Sequence, residues 1–147
     1  MTLFTIGFTK KTAKQFFELL RKNNMEILLD IRLNNKSQLA GFSKGDDLQF
    51  FLPELCHCDY LHCLEFAPTK EILDAYKKKQ LSWNEYESQY TALIKKRAKY
   101  LEFYNRFENY SNVCLLCSEP APEQCHRRLL AEMIADTAPR RIEIKHI

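Results

Sequence analysis

The sequence predicts an α/β fold: a single domain, residues 1–147, of about five mostly parallel strands flanked by helices. Two observations carry this. Short β-prone apolar runs alternate along the chain with segments whose apolar residues recur at helical spacing. One of these runs, EILLDI at Glu26 to Ile31, has the compact apolar character of a strand covered on both faces. A chain of 147 residues is long enough for one well-buried core and short for two.

Taken in order, Leu3 to Phe8 is a β-prone run containing Gly7, and Thr12 to Asn23 carries Ala13, Phe16, Phe17 and Leu20 on one helical face. The strand Glu26 to Ile31 follows, bearing Asp30 and leading into Arg32. The segment NNKSQLAGFSKGDD, rich in Asn, Ser, Gly and Lys, reads as a loop, and a long Gly-bearing loop in a small domain is often functional. Leu48, Phe51, Leu52 and Leu55 then repeat at helical spacing, with Pro53 bending or shortening that helix. Asp59 to Cys63 is a third strand. Pro68 and Thr69 start a helix that buries Ile72, Leu73 and Tyr76 beside exposed Lys77, Lys78 and Lys79. Ser82 with Glu85 forms a capping box that opens a helical region through about Phe107, with Tyr86, Tyr90, Leu93, Ile94 and Leu101 as its core stripe. Asn112 to Cys117 is the fourth strand, Glu123 to Asp136 a helix with Leu129, Leu130, Met133 and Ile134 inward, and Arg141 to Ile147 a final strand.

The formal charge of +3 describes a surface of mixed sign rather than a dense basic stripe, which leaves nucleic acid open as a partner without announcing it. Lys10 and Lys11 directly follow the first apolar run, the reverse of a secretory signal, and no apolar run reaches membrane-spanning length. The expectation is a cytoplasmic protein with no membrane partner. Six cysteines in that setting read as thiols or metal ligands rather than three disulfides. Three glycines cannot make either Gly-rich nucleotide fingerprint, and no cofactor is expected.

The chemistry concentrates in LLCSEPAPEQCHRR, Leu115 to Arg128. Cys117 ends a strand, Ser118 to Pro122 forms a loop, and Cys125, His126 and Arg127 fall in the first turns of the next helix. In an open parallel sheet, ligands bind at that edge. A helix amino terminus attracts anions and lowers the pKa of a nearby thiol, which favours Cys125 as thiolate, while Cys117 is better placed to face a crevice. One of the two attacks or binds and the other resolves or shapes the pocket, with Glu119 as proton acceptor and Arg127 as anion clamp. The bland alternative makes each cysteine a small buried hydrophobe and the arginine a solvated one.

These residues also carry a resemblance. The pattern T-I-G at Thr5, Ile6 and Gly7; D-I-R at Asp30, Ile31 and Arg32; Y-x-H at Tyr60 and His62; C-x-E at Cys117 and Glu119; C-H-R at Cys125, His126 and Arg127; and a terminal His146 with Ile147 resembles the family labelled domain of unknown function 488. The C-x-E…C-H-R element is the specific part. The resemblance implies an α/β fold and carries no settled activity. The histidine usual after the first glycine is Phe8 here, and the proline common between the D-I-R element and the following serine, Ser37, is absent. Tyr60, His62, Ser37 and His126 join the expected ligand-binding set with Asp30, Arg32 and Arg127.

Alternation puts Asp30 and Arg32 on one face of the strand end, where Arg32 holds a phosphate or carboxylate, or the two form an internal ion pair that staples the loop. A second cluster, CHCDYLHC from Cys56 to Cys63, invites a zinc reading, but its spacing throws side chains to opposite faces. A mixed site of Cys117, Cys125, His126 and His62 or His146 is conceivable, and the expectation is that no metal is bound. Two function classes remain: an enzyme with a thiol, carboxylate and arginine pocket acting on a phosphate-containing ligand, either a nucleotide or a nucleic-acid end, and a non-catalytic module binding nucleic acid or protein with structural cysteines.

Overall fold

The computed structural model describes residues 1–36 and 41–147. The elements run β1 (Thr2–Gly7), α1 (Ala13–Lys22), β2 (Ile27–Asp30), α2 (Gly45–Cys56), β3 (Asp59–His62), α3 (Lys70–Lys77), α4 (Trp83–Arg97), α5 (Phe103–Phe107), β4 (Asn112–Cys117), α6 (His126–Thr137) and β5 (Glu143–His146). The five strands form one sheet in the order β3-β2-β4-β1-β5, and every pairing is parallel.

That order follows from two opposite sweeps. From β1 to β2 to β3 the chain moves toward one edge, and from β3 to β4 to β5 it returns toward the other. With right-handed crossovers, opposite sweeps place their helices on opposite faces. One face packs Phe16, Phe17 and Leu20 of α1 and Leu48 and Leu52 of α2 onto Phe4, Ile6, Leu28 and Leu116. The other packs Tyr90 and Ile94 of α4, Phe103 and Phe107 of α5, and Leu130 and Ile134 of α6 onto Leu3, Leu29, Val113 and Leu115. The inner strands β1, β2 and β4 feed both cores by alternation, which is why their sequences read as continuous apolar runs, while the edge strands β3 and β5 stay partly exposed. At the adjacent strands β2 and β4, the outgoing chain leaves toward opposite faces, and the carboxyl edge between them is the switch point where such sheets open a crevice.

Local signals set the starts of α1, α3 and α4. Thr12 and Ser82 form capping boxes with Gln15 and Glu85, and the Thr69 side chain caps α3. The expected helix from Ser82 to Phe107 is interrupted: Ala98 adopts φ 59° and closes α4, a 3-10 turn spans Lys99–Glu102, and α5 follows. The break shifts the helical phase and leaves Leu101 54% exposed instead of in the core. Ile72, Leu73 and Tyr76 of α3 are half-buried rather than enclosed. The expected helix start at Glu123 moves to His126, because Cys125 is extended (φ −140°, ψ 138°) and stands outside the helix as its cap.

Candidate functional site

The end of β4 delivers Cys117 to the switch-point edge, where its side chain faces the α4 and α6 side of the sheet. It borders a cavity of about 280 Å³ lined by Arg32, Leu33 and Asn34 after β2, Leu73, Tyr76 and Lys77 of α3, Tyr86 of α4, and Ser118, Glu119, Gln124, Cys125 and His126. Cys117 and Cys125 are both free thiols and both buried. One ligand atom from each of Cys117, Cys125 and His126 lies within 4.8 Å of the others.

The two thiols are unlike. Burial pushes the Cys117 thiol up, but it is outweighed: the Cys125 thiol donates to its sulfur, the backbone N–H groups of Ser118 and Glu119 do the same, and the Arg127 charge adds to them, so its pKa is held below the ordinary thiol value. Cys125 is the donor in that bond, and for that reason, with burial second, its own pKa is driven strongly up. The helix terminus favours Cys125 as the thiolate, whereas the donors and charge around the pair lower the pKa of Cys117 and raise that of Cys125. A thiol at the cap of α6 that donates to a neighbouring sulfur holds its proton more tightly, and the neighbour gives up its own more readily.

His126 is buried beneath Tyr90, with ring centroids 5.2 Å apart. Its Nε2 lies 3.0 Å from the Ile31 carbonyl oxygen, which can only accept, so Nε2 carries the proton and Nδ1 the lone pair. Nδ1 lies 3.4 Å from the Tyr86 hydroxyl. The Cys117 sulfur is 3.5 Å from Nδ1 and 3.7 Å from Nε2. Near-equal distances place it off the lone pair of Nδ1, so the cradle of N–H and S–H donors, and not an aligned imidazole base, supports a thiolate there.

Arg127, expected as an anion clamp, is fully buried and lies outside the cavity lining. Its Nη1 donates to the Glu119 carbonyl, Nη2 to the Pro120 carbonyl at 3.4 Å and Nε to the Thr5 hydroxyl at 3.3 Å. It ties the loop after Cys117 to β1. Gly7 makes that loop position attainable: a Cβ there would collide with the Glu119 carbonyl and lie 2.8 Å from Arg127 Nη1. Thr5 passes the connection on, its Oγ1 lying 2.6 Å from Nδ1 of His146. The T-I-G element, Arg127 and His146 therefore act as one brace.

A second brace forms beyond β2. Asp30, fully buried, accepts from Arg32 Nε at 2.8 Å, Arg32 Nη2 at 2.7 Å and the Tyr60 hydroxyl at 2.7 Å. Arg32 Nη2 also reaches the Ser43 carbonyl at 2.7 Å, and the guanidinium sits 5.1 Å from the centroid of the Phe8 ring. His62 Nε2 bonds to the Arg32 carbonyl at 2.7 Å. The internal ion pair is thus real, and Asp30, Tyr60 and His62 hold the backbone after β2 rather than facing the cavity. Arg32 belongs to both groups, since it also lines the cavity. Ser37 lies outside the described residues.

Glu119 is exposed and lines the cavity, as does Lys77. Tyr76, Lys77 and Tyr86 were not legible as site residues, because only the return of α3 and α4 across the sheet brings them to Cys117. The CHCDYLHC cysteines stay apart from this chemistry: burial pushes Cys58 and Cys63 up to about 12, and their cluster brings no three ligand atoms together among the described residues.

In comparisons with known proteins, the family model described as Domain of unknown function DUF488 matches residues 12–134. No curated protein and no solved structure matches the chain. Among the described residues, no helix is long and apolar enough to cross a membrane.

Proposed function

The chain belongs to the DUF488 family, a domain of unknown function, and from its own residues we propose that it is a thiol enzyme acting on a phosphate-containing ligand, a nucleotide or a nucleic-acid end. One observation carries the reading: the Cys117 sulfur borders the cavity at the switch-point edge, 3.5 Å from His126 Nδ1, and, against its burial, the Cys125 thiol beside it and the Ser118 and Glu119 N–H groups lower its pKa. Such donors stabilise a thiolate nucleophile without a paired base. Cys125, beside it, is the positioning thiol that shapes the pocket, and Glu119 on the lining is placed to take a proton from the water or ligand hydroxyl that attacks in turn. Arg32 and Lys77 supply positive charge along the lining, and Tyr76 and Tyr86 supply aromatic walls against which a base or sugar packs. At about 280 Å³ the cavity takes the reacting end of such a ligand rather than the whole of a large one.

The test is site-resolved alkylation. Under limiting iodoacetamide at neutral pH, mass spectrometry should find Cys117 labelled ahead of Cys58 and Cys63, and nucleotides or a 5′-phosphorylated oligonucleotide should slow that labelling. A Cys117 as inert as Cys58 would remove the thiol chemistry. Reactivity that no phosphate compound protects would remove the ligand class. Inert thiols together with oligonucleotide or protein binding would favour the non-catalytic module, for which the internal bonding of Arg32 and Arg127 already speaks.

A further inference from the structure

We propose that Cys117, Cys125 and His126 form a zinc-binding site whose fourth position opens onto the cavity. The trio is buried, its ligand atoms lie within 4.8 Å of one another, and its two cysteines are unpaired. Two thiolates and one imidazole are a borderline-soft donor set suited to Zn²⁺. With Zn–S near 2.3 Å and Zn–N near 2.0 Å, a tetrahedron spaces its ligand atoms by roughly 3.5 to 3.8 Å. The Cys117 sulfur and His126 Nδ1 stand at 3.5 Å. The proton on Nε2, held by the Ile31 carbonyl at 3.0 Å, leaves Nδ1 as the ligating nitrogen, the outer-sphere arrangement usual for metal-bound histidine.

Charge favours the same conclusion. Two buried thiolates side by side would carry two negative charges away from water, which a bare pair of sulfurs does not offset. A divalent cation with two thiolates and a neutral imidazole is neutral overall, so it permits both sulfurs to ionise. Protons still held by the thiols pass to solvent as the metal enters. Entry asks the imidazole to turn so that the Nδ1 lone pair meets the metal, releasing the 3.4 Å contact to Tyr86 and shifting the Nε2 bond to Ile31. The protein supplies three ligands, so the cavity supplies the fourth as water or ligand, the pattern of an exchangeable rather than a closed zinc site. The inference does not rest on the thiol chemistry proposed above; zinc and a covalent adduct on Cys117 exclude one another.

The experiment uses the whole reduced chain, stripped of metal and titrated with zinc alone and with cobalt as a coloured probe. The expected result is one equivalent per chain, a thiolate-to-cobalt charge-transfer band, and protection of both Cys117 and Cys125 from alkylation while half-buried Cys56 still reacts. Cys117→Ala and Cys125→Ala should each weaken zinc binding by about a hundredfold or more, beyond the 10- to 100-fold that loss of an outer-sphere partner costs. The protection measurement uses the unaltered chain and so stands if either variant fails to fold. Zinc that leaves both cysteines open to alkylation, a cobalt spectrum without a thiolate band, or binding that survives both replacements would overturn the site. Zinc binding with an otherwise unreactive Cys117 would retain the metal site and discard the thiol enzyme.

Discussion

Replacing Arg127 with Ala separates a structural arginine from an anion clamp. Its side chain is fully buried. The charged bond to the Glu119 carbonyl is the close one and is worth about 2 kcal/mol, while the contacts at 3.3 and 3.4 Å to Thr5 and Pro120 add roughly 0.5 kcal/mol each. Losing the packed methylenes costs about 0.8 kcal/mol apiece, and removing a buried charge offsets this by relieving its desolvation. The expected loss is about 3 kcal/mol of folding stability. In urea, with an m-value of about 2 kcal/mol/M, the midpoint should fall by about 1.5 M, and a faster alkylation of Cys117 should report a loosened loop. An anion clamp would behave in the opposite way: stability nearly unchanged and phosphate or nucleotide binding weakened by about 1.5 to 3 kcal/mol. A midpoint shift below about 0.5 M would refute the brace, and weaker anion binding alongside it would return Arg127 to the ligand.

Three further outcomes follow from the same geometry. Gly7→Ala should destabilise the fold by about 1 to 3 kcal/mol, because the added Cβ meets the Glu119 backbone and not a movable side chain; a thermal melt indistinguishable from the parent would show that the loop does not need the close approach. Asp30→Asn leaves the buried Arg32 charge without its carboxylate and should cost about 3 to 5 kcal/mol in denaturant unfolding, against which a loss under about 1 kcal/mol would mean that the Ser43 carbonyl and the Phe8 ring suffice. His146 has its pKa held below 6.5, by burial first and by the Arg127 charge second. For a base with a lowered folded-state pKa, the unfolded chain binds the proton more readily, so this contribution to stability is complete above about pH 6.5 and is lost as the pH falls below it. Urea midpoints measured across that window should drop with acid less steeply in His146→Gln than in the parent, and parallel curves would exclude His146 as the source.

Local chemistry in the chain determined the fold class and the address of the site. Runs such as EILLDI and NVCLLC are apolar on both faces and admit little besides covered strands, Thr12 and Ser82 carry their own caps, and the strand-to-helix placement of Cys117 and Cys125 points to the carboxyl edge of a parallel sheet. What the tertiary structure decided is which way the polar side chains turn and what they meet. Ala98 ends a helix without a glycine or proline to announce it, because its left-handed backbone lets α5 turn onto the sheet. Arg127 reads as a ligand-binding cation in sequence, yet three oxygen acceptors, one from β1 and two from the loop after β4, converge on it, and that loop reaches its place only because Gly7 lets it approach. The roles of the two thiols were equally undecided. A helix terminus is a local feature and favours Cys125, whereas the donors and charge that lower the pKa of Cys117 and raise that of Cys125 depend on how the chain folds back over the end of β4.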